Sequence, residues 1–314
     1  MECDVTIMKE SEKSYYVVTP SLTVHRDRDH IRRVAASLKE NKLSFEDLTR
    51  DYSVLAVAGP EAKLLFEDFP FSTAQDICFE DDLVARALRV SYVGEYGVEI
   101  HAKRNDATRI LNILEDRARD CNKGQGLVMG GYRSIMHSLR LEKGFVHFGH
   151  DATPVDTQLE SGLGFVSSSK LKTSIPFLGR DALIEQKSRG PLRRRLVNFK
   201  VHDPDTTLWG HETVFQNQNK MVGHITSGGI SFLDDKNQGR AIGLGFISCH
   251  EGITKSYLRE NQFHVEVVDV NSKRTRLVEI TPSLSCVYVV ISIISLRLNQ
   301  FTLTAHYFQV RPEG

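Results

Sequence analysis

The chain has 314 residues, 40% of them hydrophobic and 25% charged, which is enough for one large or two medium globular domains with real cores. Forty basic residues balance forty acidic ones, so the sequence lacks the electrostatic footprint of a nucleic-acid or anionic-membrane binder. Five scattered cysteines show neither zinc nor redox spacing and point to free thiols in a reducing compartment.

The first residues, MECDVTIMKE, carry no apolar signal core and no Arg/Ser-rich presequence pattern. Tyr15 to Thr19 is a β-branched and aromatic run that predicts a strand ended by Pro20. Ile31, Val34, Ala35 and Leu38 recur at helical spacing and predict the apolar face of a helix. Ser53 to Ala58 predicts a buried strand stopped by Gly59-Pro60, with Pro60 opening a helix that carries Leu64 and Leu65. Leu88, Val90 and Tyr92 alternate on a further strand, and a Gly-rich turn holding Glu95 at an exposed position leads into Val98 to His101. Ala107, Ile110, Leu111, Leu114 and Ala118 form the stripe of an amphipathic helix, and another helix is expected over 131–143. The alternation of strands and helices predicts an α+β unit.

From about Gly190 the texture changes to short strands, Leu196 to Val201, Glu212 to Gln216, Met221 to Thr226, Arg240 to Ile247 and Phe263 to Val270. This spacing predicts a small β-barrel or jelly-roll-like unit after a linker at 187–191. Arg193-Arg194-Arg195 reads as a solvated strand start. The apolar stretch Val287 to Leu296 is too short to span a bilayer and reads as strand or tail.

Ser91-Tyr92-Val93-Gly94-Glu95-Tyr96-Gly97-Val98-Glu99-Ile100 is the most informative segment. Its glycines allow a tight turn, and Glu99 follows between two apolar neighbours. Either Glu99 faces solvent, or it points inward, where a carboxylate needs partners such as the adjacent N–H donors of a heterocycle. Arg133, near the start of the 131–143 helix, is either a surface residue or a fork for a ligand carboxylate. Gly124-Gln125-Gly126 follows a helix and reads as a C-cap, not a phosphate loop. His147, His150 and Asp151 lack the spacing of metal ligands, and no metal site is expected.

SYVGEYGVEI, SLRLEKGFVHFGHD, TPVDTQLESGLGF and IPFLGRDALIEQK resemble the aminomethyltransferase (glycine-cleavage T-protein) superfamily. SLRLEKG, FLGRDAL and LRRRLVNF are most similar to the C-terminal half of its sarcosine and dimethylglycine dehydrogenase-type members. The resemblance implies an α+β, three-lobed folate-binding fold, here N-terminally truncated, with a small C-terminal β-barrel. It places a folate-binding domain at 1–187, the barrel at 190–280 and a divergent tail at 281–314. That tail, apolar and of high β-propensity, is expected to be dispensable for solubility.

The resemblance further implies tetrahydrofolate as cofactor, with Glu99 on the pterin ring, Tyr92 lining the pocket and Asp4 as the catalytic residue for positioning or proton transfer. Cys3 stands where the family has the first acid of a pair. The family's ligand-binding Arg falls at Met136 and His137, leaving Arg133 as the substitute, on a helix one residue longer than the family pattern. FAD belongs to the longer dehydrogenase-type members; no strand–GxGxxG–helix unit for it occurs in this sequence. The implied partners are a small-molecule folate and a flavin-binding dehydrogenase domain or chain, with no nucleic acid and no membrane, in the mitochondrial matrix. The competing expectations are a non-catalytic regulatory subunit on the same fold, as in pyruvate dehydrogenase phosphatase, and an inactive truncated fragment.

Overall fold

The computed structural model of the chain describes residues 1–37, 43–122, 124–233, 239–269 and 272–286, and the backbone of 305–312. They fall into two units, Glu2–Tyr132 with Ser292–Gly314, and Arg133–Ile291 with Met1.

In the first, β1 (Thr6–Ser11) and β2 (Ser14–Pro20) form an antiparallel hairpin. Pro20 ends the ladder and α1 (Val24–Ser37) follows. Its inner stripe is Val24, Asp27 and Ile31, with Val24 and Ile31 packed on Val5 and Val17. The predicted face is therefore rotated: Val34 is exposed, and Leu38 lies outside the described residues. Asp27 can sit inside because the hydroxyls of Thr19 and Thr23 donate to its Oδ2.

Then come β3 (Leu43–Asp47), β4 (Tyr52–Ala58), β5 (Ala74–Glu80), β6 (Leu83–Leu88), β7 (Gly97–Lys103) and α2 (Ala107–Cys121). Four of these strands make an antiparallel sheet in the order β4-β7-β6-β5. Ile110, Leu114 and Ala118 of α2 pack on Val57, Ala87, Val98, Ile100 and Ala102, as the apolar stripe predicts. Complete burial of Ile110 and Leu114 contributes roughly 2 kcal/mol each. Two local expectations fail. Pro60 opens no α-helix; a short 3-10 turn, Ala62–Leu65, follows it, with Leu64 on the outside. The strand expected through Val90 and Tyr92 ends at Leu88.

The second unit takes up the chain within α3 (Tyr132–Ser134), which runs on through a π-helical segment Ile135–Leu139 and α4 (Arg140–Glu142) as one helical stretch. The amide of Arg140 bonds the carbonyl of Ile135, five residues back, so the π turn takes up one extra residue. After α5 (Gly164–Leu171) and α6 (Arg180–Ser188), the chain forms β8 (Arg194–Val201), β9 (Thr213–Gln216), β10 (Lys220–Ser231), β11 (Arg240–Ser248), α7 (Lys255–Glu260), β12 (Phe263–Val268) and β13 (Thr275–Ser283). The strands close into a barrel in the order β10-β11-β8-β13-β12-β9. Val197, Phe199, Val214, Ile225, Phe263, Val265 and Ile280 fill it. Val270, the expected end of the strand that is now β12, lies outside the described residues. β13, not anticipated, closes the barrel by pairing with both β12 and β8 and runs to Ser283.

The last strand, β14 (Ala305–Pro312), returns to the first unit and pairs with β2 on one side and β3 on the other, giving the order β1-β2-β14-β3. The dispensable tail expected from sequence thus contributes an interior strand, while the apolar stretch at 287–296 lies outside the described residues. Removing residues 305–314 is expected to lower the soluble yield roughly several-fold, because it strands the ladders of β2 and β3 as open edges. Yield equal to that of the full chain would refute this.

Candidate functional site

Glu99 owes its place to the connection before it. The eight residues between β6 and β7 are pinned by Arg89, whose Nη1 donates to Gly97 O at 3.1 Å while its guanidinium lies 3.5 Å from the Tyr96 ring centroid. Gly94 turns the chain at φ 72°, a conformation that favours glycine. Glu95, expected to be exposed, is half-buried here. On β7 the alternation then sorts the side chains: Val98, Ile100 and Ala102 enter the core under α2, and Glu99 and His101 take the opposite face. Glu99 is neither of the extremes left open by the sequence. Its side chain is 22% exposed.

That face carries a ladder of polar and aromatic groups. His101 Nε2 lies 3.7 Å from Glu99 Oε2. On the other side of the ring, Nδ1 is 3.1 Å from the Tyr16 hydroxyl, and the two rings meet edge to face at 5.5 Å. The Arg86 guanidinium stacks 4.5 Å from the Tyr16 ring centroid and bridges to Glu10 at 2.6 Å. Arg86 and Glu10 also line a cleft of about 470 Å³ between β1 and the β5–β6 hairpin. Another cavity, about 390 Å³, lies on the α2 side, lined by Val57, Leu65, Ala118 and Cys121, and holds none of the expected site residues.

Asp4 stands beside the first turn of α1, where Arg26 holds Glu2 at 2.8 Å. The residue is exposed at the surface, yet the protein atoms on one side of its carboxyl and the nearby Asp27 carboxylate push its pKa up. The same burial and the same Asp27, with Glu2, push the Cys3 thiol up to about 11, so Cys3 is no reactive thiolate. Tyr92 lies half-buried in the connection before β7. Arg133 belongs to the other unit, exposed, with its guanidinium 5.8 Å from the Trp209 ring centroid. The structure thus groups Glu99 with His101, Tyr16 and Arg86, none of which the sequence reading had singled out. Among the described residues no group of three or more His, Cys, Asp and Glu is placed to hold a metal ion.

Comparison with known proteins fits this architecture. Residues 1–170 match the GCVT N-terminal domain, and residues 194–281 match the glycine cleavage T-protein C-terminal barrel domain. The chain belongs to the glycine cleavage T-protein family. Mitochondrial sarcosine dehydrogenase of Mus musculus is 33% identical over 269 residues, covering 82% of this chain and 27% of that protein. Mitochondrial dimethylglycine dehydrogenase of Homo sapiens is 28% identical over 244 residues, 74% of this chain and 27% of its own length. Aminomethyltransferase of Symbiobacterium thermophilum is 28% identical over 244 residues, 74% of this chain and 62% of its own. The chain therefore spans little more than a quarter of the dehydrogenases it matches.

The T-protein family barrel unit has a polar centre of its own. Arg140 is 1% exposed and donates to Asp151 Oδ2 at 2.6 Å, Ser227 Oγ at 2.7 Å, Phe145 O at 2.8 Å and Met136 O at 2.9 Å. Asp151, which the sequence reading set aside as lacking metal-ligand spacing, also accepts from Thr226, Ser227 and the His147 amide. Burial alone would raise its pKa, but the Arg140 charge and these donors outweigh it and hold the carboxyl below its usual range. His147 is pushed down by burial and by Arg140, which disfavours a second cation there. The arginine run is less uniform than a solvated strand start. Arg194 pairs with Asp156 and covers Phe246, and Arg195 lines a cleft of about 310 Å³ with Lys187 and Phe165.

Proposed function

We propose that this chain is a tetrahydrofolate-binding one-carbon-transfer module in which Glu99 anchors the pterin. One observation carries the reading: in the family-like SYVGEYGVEI segment, Glu99 is held on the polar face of β7 against the buried His101, between core residues Val98 and Ile100. A carboxylate so placed is an acceptor, and a reduced pterin presents adjacent N–H donors, so residue and ligand are chemically matched. Tyr92, half-buried in the connection before β7, is assigned to the lining of the ligand's pocket. Asp4, its proton retained to higher pH by burial and by Asp27, is the group for positioning or proton transfer at the folate nitrogens. Arg133 is assigned the ligand's carboxylate. Tetrahydrofolate, when bound, supplies the nucleophilic nitrogens that take up the one-carbon unit, with 5,10-methylenetetrahydrofolate as product.

The donor of that unit, in this reading, is an N-methyl amino acid oxidised by a flavin-binding domain or chain, as the names of the sarcosine and dimethylglycine dehydrogenase relatives suggest. The mitochondrial naming of those relatives supports the matrix as the site of action.

Calorimetric titration with 5-formyltetrahydrofolate tests the assignment. Glu99→Gln keeps the shape but replaces an acceptor by a donor, and affinity is expected to fall about 30- to 100-fold, equivalent to about 2–3 kcal/mol. Asp81→Asn, on the exposed β5–β6 turn, is expected to bind as the parent does. Equal affinity for parent and Glu99→Gln would remove Glu99 from the site. Absence of binding by the parent would favour a regulatory or inactive chain on the same fold.

A further inference from the structure

His101 is the fixed point behind Glu99. The residue is 1% exposed, its ring is edge-on to Tyr16, and both ring nitrogens face polar groups. A neutral imidazole carries one N–H and one lone pair. If Nδ1 carried the hydrogen, the Nε2 lone pair would face the Glu99 carboxylate at 3.7 Å, acceptor against acceptor. If Nε2 carries it, an N–H faces the carboxylate, and Nδ1 is left to accept from the Tyr16 hydroxyl at 3.1 Å. The second arrangement sets donor against acceptor at both contacts, the 3.7 Å one being an electrostatic contact longer than a hydrogen bond; the first sets acceptor against acceptor. Tyr16, fully buried, is in turn held in place by the Arg86 guanidinium over its ring and the Arg86–Glu10 bridge behind it.

We propose that His101, its tautomer fixed by Tyr16, is a positioning residue that presents Nε2–H to Glu99 and holds that carboxylate as the acceptor for the ring N–H donors of a reduced pterin. This rests on the reading of Glu99 given above. His101 touches no ligand; it acts by the electrostatic attraction of its N–H for one carboxylate oxygen, which biases the orientation of the other.

Two measurements on the full chain test it. In the parent, imidazole nitrogen NMR, with the His101 signal identified by its loss in His101→Gln, is expected to show the hydrogen on Nε2. A hydrogen on Nδ1 alone overturns the proposal whatever the chain binds. The binding arm uses 5-formyltetrahydrofolate. Glutamine reaches as far as Nε2 and keeps an N–H there, whereas asparagine reaches only the place of Nδ1. His101→Asn, which withdraws the N–H from Glu99, is expected to lose about 10-fold in affinity, and His101→Gln less than about 3-fold. In the Glu99→Gln background His101→Asn is expected to add no further loss, because the group it positions is gone. Tyr16→Phe, which keeps the packed ring, is expected to lose about 3-fold and serves if the His101 variants do not fold. Equal losses for His101→Gln and His101→Asn, or no loss for Tyr16→Phe, with Glu99→Gln still weak, would overturn the positioning role alone. Undiminished binding by Glu99→Gln would instead overturn the underlying assignment of Glu99.

Discussion

Arg140→Met is expected to destabilise the barrel-containing unit by about 3–5 kcal/mol, the cost of leaving one partner of a buried ion pair uncompensated. For a unit of this size that is a fall in melting temperature of roughly 10 °C. The stranded group is Asp151, which would keep its Thr226, Ser227 and His147 donors but lose the charge 2.6 Å away. The pH dependence has a definite sign. The folded-state pKa of Asp151 is depressed, so its contribution is fully present above the ordinary carboxylate pKa and is lost as pH falls through the lower, folded value. In Arg140→Met the charge that lowers it most is gone, and protonation relieves the stranded carboxylate. The deficit relative to the parent is therefore largest near neutrality and narrows as pH approaches 4, roughly the ordinary carboxylate pKa. Urea midpoints at pH 7 and pH 4.5 are the measurement. A deficit below about 1 kcal/mol at pH 7, or one that widens on acidification, would show that the pair is not what holds this region.

Gly229→Ala is expected to cost about 3 kcal/mol in the same unit, for a steric reason. A Cβ at Gly229 would stand 1.5 Å from the carbonyl oxygen of His137 and 2.3 Å from its carbonyl carbon. Those are backbone atoms and cannot rotate aside. Relief requires the π-helical segment to lift from β10, which breaks the Ser138 Oγ bond to Ile230 O at 2.5 Å and the His137 contact with Gly228 O at 3.0 Å. Gly164→Ala is the control: its nearest neighbour would be the movable Leu159 Cδ2 at 3.0 Å, and a change within about 1 kcal/mol is expected. Thermal melts of both variants decide it. If Gly229→Ala melted with the parent, the helix would not be seated on β10 as described.

Long regular patterns were readable in the sequence. The α2 stripe and the SVLAVA strand repeat at the period of their element, and every inward position is apolar. β1 and β5 were missed, and β6 was placed too late, because TIMKES, AQDICFE and LVARAL mix charge into the pattern. β5 is an edge strand with one side in water, so its sequence needs no clean alternation. β13 contains Pro282, which reads as a strand breaker, yet it lies at the end of the ladder to β8. Of the site, Glu99 was legible because its turn and apolar neighbours are local. Its support was not: Tyr16 and His101 are 85 residues apart and meet across two sheets. Arg140 and Asp151 are close in sequence, but a buried Arg–Asp pair looks like any other amphipathic helix and polar loop until the barrel covers it.

The position of β14 sets a constraint on how this protein can be made. A strand lying between β2 and β3 comes from residues 305–312, so the sheet β1-β2-β14-β3 cannot be completed until every barrel strand has been translated. While the barrel strands are still being translated, β2 and β3 wait with unsatisfied backbone donors and acceptors, and the loop that must close contains the entire barrel. The barrel, whose partners lie within one stretch of sequence, can mature before the last strand of the sheet has been made. The interval between those two events is when the nascent chain has open strand edges to offer, and it is then that a chaperone, or another copy of the same intermediate, would find it.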